Sequence, residues 1–224
     1  MDKTQKILMV VTNFGLIDPE HPTGIWYKGL ATIYQELVFQ GFDITIASLE
    51  GGIAPLDPRS IPKEEARDIT WQKLQNLLQN THVLSNCHVH DFDALVFPGG
   101  HGTMFDCYQN IIIQQIVSKF VATGKLIAAL CHGPVGLIGV NLPNGNPLLG
   151  GKTLTSFTVE EENTVGWDVL VPFLLEDKLK ELGANFVREP RFSDHIEQDG
   201  KLITGQNPQS SQSFAQAVVD ALSC

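Results

Sequence analysis

A single cysteine stands between an apolar run and a histidine, a pattern typical of a reactive thiol. Residues 126–130 are all apolar, which indicates a buried parallel strand, and Cys131 and His132 follow directly. Small residues on both sides of a nucleophile, here Ala129 and Gly133, allow a strand to turn sharply into a helix. We therefore predict a nucleophile elbow in which a helix N-terminus favours the thiolate form of Cys131. The alternative is a buried cysteine that only packs at a strand end.

A glycine pair follows another apolar run, residues 93–97. Parallel sheets bind ligands at the carboxyl ends of their strands, so this segment and the elbow are expected to converge. Gly99 and Gly100 would let backbone N–H groups approach a reacting atom, as an oxyanion hole requires. The alternative is that these glycines only form a turn. His101 is expected to line the site or to cap that turn.

Strand-like and helix-like segments alternate along the whole chain, which predicts an α/β fold with a doubly wound, mostly parallel sheet sandwiched by helices. We expect a single domain over residues 1–224, with an excursion of loop and helix around residues 51–91. The expected strands are residues 6–12, 42–48, 93–97, 125–130, 152–157, 185–188 and 201–204. The expected helices are residues 25–40 with Thr23 as their cap, 64–79, 110–122, 135–140, 174–182 and 210–222.

Composition excludes several classes of partner. The chain has 224 residues and a formal net charge of −10, and its pI is about 5.0. This charge argues against nucleic acid and anionic membranes as partners. No apolar stretch is long enough to cross a membrane, and the first residues do not resemble a secretion signal, so a cytoplasmic protein is expected. The sequence shows no cofactor motif, and we expect no metal site.

Several motifs together are highly specific. They are residues 23–26 (TGIW), 51–58 (GGIAPLDP), 97–102 (FPGGHG), 129–134 (ALCHGP), 151–158 (GKTLTSFT) and 202–208 (LITGQNP). On these motifs the chain resembles the ThiJ/PfpI family of the class I glutamine amidotransferase-like superfamily over nearly its whole length. Within the family it is similar to the stress-protein branch, which includes glutathione-independent glyoxalase III enzymes, reported deglycases and holding chaperones.

The resemblance implies a flavodoxin-like, class I glutamine amidotransferase-like fold and a homodimer. It also implies that Cys131 is the nucleophile, that His132 is its neighbouring base and that Glu162 completes a triad. A carboxylate bonded to an imidazole fixes its tautomer and stabilises its charged form. Three adjacent glutamates leave this assignment open by one or two positions, although Glu160 and Glu161 fit a solvated acidic loop.

One position departs from the family pattern. Members of the family usually carry a glutamate on the first helix, where it contacts the cysteine sulfur and is thought to shuttle a proton. The corresponding residue here is Gly29, which cannot move a proton. Asp18 or Glu20, in the preceding loop, would have to substitute, because Glu36 lies two turns further along the helix.

The resemblance favours a cysteine-dependent enzyme that acts on small reactive carbonyls, as a glyoxalase III-like lyase or a deglycase. Hydrolysis of a small amide or peptide would use the same thiolate and oxyanion hole. Gly29 favours a different alternative, a non-catalytic stress protein that acts as a holding chaperone or a cysteine redox sensor. The hypothesis that the chain is an amidotransferase subunit is the least favoured.

Three further groups of residues have types that could bind a metal, take part in catalysis or contact a substrate. Cys87, His88 and His90 could bind a soft metal, although a plain surface segment is favoured. His195 and Glu197 form a His-x-Glu pair just before a predicted turn into an edge strand. The three tryptophans, Trp26, Trp71 and Trp167, are expected in the core or at an interface rather than against a substrate.

Overall fold

A seven-stranded sheet forms the centre of the structure, a computed structural model that describes residues 4–63 and 67–223. The strands are β1 (Lys6–Val11), β2 (Asp43–Ser48), β3 (His82–Val83), β4 (Ala94–Phe97), β5 (Leu126–Leu130), β6 (Thr153–Leu154), β7 (Asn185–Phe186), β8 (Ile196–Asp199) and β9 (Leu202–Gly205). The central sheet has the order β3-β2-β1-β4-β5-β9-β8, and β6 pairs with β7 separately. Every pair in the central sheet is parallel except β8–β9.

Helices cover both faces of this sheet. They are α1 (Tyr27–Phe39), α2 (Ile69–Gln79), α3 (Thr103–Asp106), α4 (Ile111–Ala122), α5 (Val159–Val165), α6 (Leu175–Glu181) and α7 (Ser211–Ser223). Alternate residues of β1 enter different cores: Met9 packs in a cluster with α1, α2 and α7, whereas Leu8 packs in a cluster with α4 and α6. Two buried faces explain why the central strands are continuous apolar runs. The predicted doubly wound α/β fold is confirmed.

The segment after the elbow differs from the prediction. No α-helix forms at residues 135–140; a five-residue 3-10 helix, Gly133–Leu137, is followed by extended backbone at Ile138. Gly136 packs so closely on Phe97 that a Cβ there would lie 3.0 Å from the ring, and Gly139 has a φ of +83°. Close packing of the backbone against β4 therefore replaces the expected helix.

The predicted strand at residues 152–157 is also shorter than expected. Only Thr153–Leu154 pairs with a strand, and its partner is β7 in the small second sheet. The backbone N–H of Phe157 instead donates to the carbonyl oxygen of Cys131 at 3.0 Å. This hydrogen bond ties residue 157 to the elbow and fixes the direction in which α5 begins.

The last strands of the sheet correct a further prediction. Residues 202–205 are not an edge strand, because β9 lies between β5 and β8. The antiparallel edge strand is β8, whose sequence IEQD lacks the apolar pattern of a buried strand. Among the described helices, none is long and apolar enough to cross a membrane.

Two helix starts also differ from the sequence prediction. Helix α1 begins at Tyr27, and the hydroxyl of Thr23 donates to Asp57 at 3.3 Å instead of capping the helix. Helix α2 begins at Ile69, where the side chain of Asp68 caps it. Of the longer helix predicted at residues 64–79, residues 64–66 lie outside the described part of the chain.

Candidate active site

Cys131 lies at the sharp turn that ends β5. Its φ is +60°, a left-handed conformation that only a tightly constrained non-glycine residue adopts. Its N–H donates to the carbonyl oxygen of Gly205 at 2.8 Å, so the parallel ladder continues up to the cysteine. A Cβ on Gly133 would lie 2.6 Å from the carbonyl oxygen of Phe97, which explains the need for glycine after the turn.

A chain of short contacts leads from the sulfur to a buried carboxylate. The Sγ of Cys131 lies 3.3 Å from Nδ1 of His132, and Nε2 of His132 lies 2.7 Å from Oε2 of Glu162. His132 is 0% exposed and Glu162 is 3% exposed. The structure thus brings together the three residues that the resemblance assigns to a triad. The sequence predicts a helix N-terminus beside the sulfur, but only a five-residue 3-10 helix follows the elbow. The cationic group beside the sulfur is therefore the imidazole of His132.

His101 is a second histidine on the same carboxylate. Its Nε2 lies 2.7 Å from Oε1 of Glu162, and its Nδ1 lies 3.3 Å from Nη2 of Arg59. Arginine has no acceptor, so Nδ1 of His101 accepts this bond and Nε2 carries the proton that is donated to Glu162. Glu162 therefore accepts one hydrogen bond from each imidazole. Sequence reasoning placed His101 near the site but did not predict this bond.

The charges in this cluster are set by burial and by neighbouring groups. Burial lowers the pKa of His132, but the charges of Cys131 and Glu162 outweigh it and raise the pKa to about 10. Burial and the adjacent positive charge of His132 lower the pKa of His101 to about 4. The pKa of Glu162 falls well below its usual range, because the two histidines outweigh the effect of burial. At neutral pH we therefore assign a charged His132, a neutral His101 and an ionised Glu162.

The three adjacent glutamates have three different environments. Glu162 joins the histidines, and Glu160 is exposed 3.7 Å from Arg188. Glu161 is fully buried, which corrects the prediction that it belongs to a solvated loop. Its carboxylate accepts bonds from the backbone and hydroxyl of its capping partner, Thr158, and from the backbone N–H of Phe192. Glu161 thereby fixes both the start of α5 and the loop that carries Phe192.

Arg59 extends the network on the far side of His101. Two of its nitrogens donate to the buried carboxylate of Asp57, at 3.0 Å and 2.6 Å. Its guanidinium carbon lies 3.4 Å from the ring centroid of Trp167, and the ring of Trp167 lies 4.6 Å from that of His101. Sequence reasoning missed Arg59, although Asp57 and Pro58 in the motif GGIAPLDP directly precede it.

The two candidate oxyanion glycines have different positions. Gly100 lines the cavity beside Cys131, whereas Gly99 packs behind the elbow. Their φ values are +83° for Gly99 and +104° for Gly100. A Cβ would lie 2.4 Å from a backbone oxygen at either position, that of Leu130 for Gly99 and that of Gly24 for Gly100. Both positions therefore require glycine. Of the two, only Gly100 lines the cavity that Cys131 also lines.

A cavity of about 180 Å³ opens onto Cys131. Its lining is mostly apolar and includes Trp26, a half-buried residue for which the sequence favoured the core or an interface. The lining residues are Trp26, Lys28, Arg59, Gly100, His101, Cys131, Phe157, Val165, Phe192, Pro208 and Gln209. A small molecule that enters this cavity would contact Cys131, one of its lining residues.

Among the described residues that line this cavity, no carboxylate substitutes for the family glutamate. Asp18 accepts hydrogen bonds from His21 in its own loop, and Glu20 is exposed; neither lines the cavity. A Cβ on Gly29 would make ordinary contacts of 3.5 Å with Leu130 and 3.6 Å with Ser211. Position 29 therefore has room for a first side-chain atom, which the sequence does not supply.

The remaining candidates fall outside this site. Cys87 contacts the backbone of Val83, and within the described chain neither His88 nor His90 joins it in a set of three metal-ligating groups. His195 and Glu197 pair with each other at 3.2 Å beside the edge strand.

The described residues contain one set of three groups that could hold a metal ion: His101, His132 and Glu162, with ligand atoms within 4.8 Å of one another. The hydrogen bonds of the two histidines to Glu162 account for this closeness.

The comparisons with known proteins agree with the fold and the motifs. A sequence model of the DJ-1/PfpI family matches residues 29–221. The glutathione-independent glyoxalase hsp3102 of Schizosaccharomyces pombe is 29% identical over 96% of each chain. The Rapid Encystment Protein 24 KDa of Francisella tularensis is 35% identical, with a TM-score of 0.91 over 98% of this chain and 99% of that one. The crystal structure of a protein designated APC35852 is 48% identical, with a TM-score of 0.93 over 99% of each chain.

The chain belongs to the DJ-1/PfpI family. Its relatives include several that are named glutathione-independent glyoxalases, so the resemblance to the glyoxalase III branch is also confirmed.

Proposed function

We propose that this protein is a glutathione-independent glyoxalase that converts a small 2-oxoaldehyde into a 2-hydroxy acid through Cys131. The observation that carries the proposal is the unbroken contact chain from Sγ of Cys131 through His132 to the buried Glu162, together with the small cavity that Cys131 lines. The relatives named glyoxalases support the same reaction class.

The reaction begins when the thiolate of Cys131 adds to the aldehyde carbon of the substrate. The carbonyl oxygen becomes an alkoxide, which accepts hydrogen bonds from backbone N–H groups near Gly100 and His132 and takes a proton from the charged imidazole. Glu162 holds the imidazole in position and stabilises its charged form.

The next step moves a proton from the former aldehyde carbon to the neighbouring ketone carbon through an enediolate. The first carbon is thereby oxidised to a thioester and the second is reduced to an alcohol, so no external electron acceptor is needed. Water then hydrolyses the thioester, which releases the 2-hydroxy acid and the free thiol. Because Gly29 has no carboxylate, His132 is the group that carries the proton, and slow turnover is expected.

Gly29 also favours a second candidate, a stress protein that does not turn over aldehydes. Such a protein would use Cys131 as an oxidisable thiol or would hold unfolded clients. It would retain client protection in a Cys131→Ser variant, if it acts as a holding chaperone. Hydrolysis of small amides or peptides remains a third candidate, because the same thiolate and backbone donors would serve it.

Formation of D-lactate from methylglyoxal, measured without glutathione, tests the proposal. Wild type is compared with Cys131→Ser, with Gly29→Glu and with Cys87→Ser, which changes a cysteine outside the site. We expect turnover in wild type, its loss in Cys131→Ser, no change in Cys87→Ser and a gain in Gly29→Glu. Equal turnover in wild type and Cys131→Ser would refute the proposal, and turnover only in Gly29→Glu would favour the non-catalytic stress protein.

A further inference from the structure

The cavity beside Cys131 differs in charge from the rest of the molecule. The chain carries a formal net charge of −10, yet the charged side chains on the cavity wall are Lys28 and Arg59, both cationic. Among the described residues that line the cavity, none is acidic. Cations that line a cleft with apolar walls raise the local concentration of anions more than the same charges do on an open surface.

Arg59 is held rigidly with part of its donor set unused. Its Nε and Nη2 donate to Asp57, its Nη2 also reaches His101, and its guanidinium plane packs on Trp167. Its third nitrogen, Nη1, has no hydrogen-bond acceptor within the part of the chain that the structure describes. A fixed arginine with free N–H groups binds a carboxylate without the entropy cost of first ordering the side chain.

The carboxylates nearest to the cavity, Asp57 bonded to Arg59 and Glu162 bonded to the two histidines, do not line it. Asp57 is 0% exposed and Glu162 is 3% exposed, and neither lines the cavity. Glu162 is also covered on both oxygens by the two histidines. Lys28, at the exposed start of α1, has no ion pair among the described residues. An entering molecule therefore meets the cations before the anions.

We propose that this cavity selects carbonyl compounds that carry a carboxylate, with Arg59 as the residue that binds the carboxylate and Lys28 as the residue that attracts it. The preferred substrate class is a small aldehyde or 2-oxoaldehyde acid rather than a neutral dicarbonyl. This inference rests on the proposed function in one respect, that Cys131 is the reacting group.

Two alkylating reagents of nearly equal size test the inference without any need for turnover. Iodoacetate and iodoacetamide both react when a thiolate sulfur displaces iodide from carbon, but only iodoacetate carries a carboxylate. The folded protein is alkylated, the reaction is quenched, and the protein is digested. Mass spectrometry of the peptides then gives the alkylation rate at each cysteine. The quantity measured is the ratio of the iodoacetate rate to the iodoacetamide rate at Cys131, with Cys87 as the internal reference.

We expect this ratio to be about tenfold higher at Cys131 than at Cys87 at low ionic strength, and to fall as salt screens the cations. Lys28→Gln and Arg59→Gln should each lower the ratio at Cys131. Lys73→Gln, which removes an equal charge from the exposed face of α2, should leave it unchanged. Arg59→Gln leaves Asp57 without its partner, so Lys28→Gln and the salt series keep the test valid if that variant does not fold.

The outcomes separate the two proposals. Equal ratios at Cys131 and Cys87, unaffected by Lys28→Gln and by salt, would overturn the carboxylate site and leave the proposed enzyme intact. Failure of both reagents to alkylate Cys131 would overturn both, because the sulfur would then not react from the cavity at all.

Discussion

The chain contains two Cys-His dipeptides, and only one of them is built into a network. Cys131-His132 lies at a strained turn, with Glu162 bonded to the histidine. Cys87-His88 lies in a surface segment, where the thiol contacts the backbone carbonyl of Val83, the last residue of β3, at 3.8 Å. Burial, followed by the charge of nearby Asp91, raises the pKa of the Cys87 thiol. Adjacent residues in sequence therefore do not by themselves make a reactive pair.

The difference lies in what distant segments contribute. Glu162 comes from α5, 30 residues beyond His132, and Arg59 comes from a loop 42 residues before His101. Each reaches the site only because the sheet order brings the ends of its strands together. Substitutions at Glu162, Gly99 and His101 test how much each position adds to this network and to the backbone that supports it.

Glu162→Gln should make Cys131-His132 most similar to Cys87-His88, because it removes the carboxylate that bonds to the histidine. His101 and His132 bond different oxygens of Glu162, and an amide replaces one of these oxygens with an NH2 donor, so both hydrogen bonds cannot be kept. We expect kcat for methylglyoxal to fall by about 10²- to 10⁴-fold, as when the carboxylate of a triad is replaced by an amide. Glu160→Gln, a change of the exposed neighbour, should leave kcat unchanged. Similar kcat values for the two variants would contradict this role of Glu162.

Gly99→Ala tests whether the backbone behind the elbow is as constrained as the contacts indicate. The new Cβ would lie 2.4 Å from a backbone oxygen at a φ of +83°, so we expect a loss of roughly 3 kcal/mol in the free energy of unfolding. Gly52→Ala is the matched control, since its φ is +66° but its Cβ would meet open space. The control should lose only about 1 kcal/mol. Urea unfolding of both variants measures the difference, and equal losses would show that the elbow is not close-packed.

His101→Gln should remove part of the acid sensitivity of the protein. An unfolded histidine has a pKa near 6.5, whereas the pKa of His101 in the folded protein is about 4. Between these values the unfolded chain binds a proton that the folded chain does not, so stability falls as pH falls through this window. From pH 7 to pH 4.5 the wild type should lose roughly 2 to 3 kcal/mol more than His101→Gln.

Urea unfolding at both pH values measures this double difference. His90→Gln, a change of an exposed histidine near Cys87, serves as the control. Between the two pH values it should lose as much stability as the wild type does. A His101→Gln variant as acid-sensitive as the wild type would mean that His101 is protonated in the folded protein within this pH range.

The sequence predicts the sheet and the elbow well, because both depend on local patterns. Apolar runs mark the strands that are buried on both faces, and residues 129–133 mark the turn. Glu162 was reachable only through the family resemblance, since nothing local separates it from Glu160 and Glu161. Glu161 is buried because five donors from three segments surround it, a property that spacing along the chain does not reveal.

The missing helix after the elbow has a different cause. The pattern at residues 135–140 is compatible with a helix, but Gly136 and Gly139 weaken that preference, and close packing on Phe97 decides the outcome. Arg59 was missed because its partners Asp57, His101 and Trp167 come from three parts of the chain. Tertiary contacts of this kind set the charge of the cavity and lie beyond any single motif.

The relative reactivity of Cys131 and Cys87 in one sample shows whether Cys131 is the activated nucleophile. Iodoacetamide alkylation of Cys131 and Cys87 in the native protein is followed by peptide mass spectrometry from pH 6 to pH 9. If His132 and Glu162 stabilise the thiolate, Cys131 should react at least about tenfold faster than Cys87 at pH 6, even though it is the more buried. A rate at Cys131 equal to or below that at Cys87 across this range would contradict the assignment of Cys131 as the nucleophile.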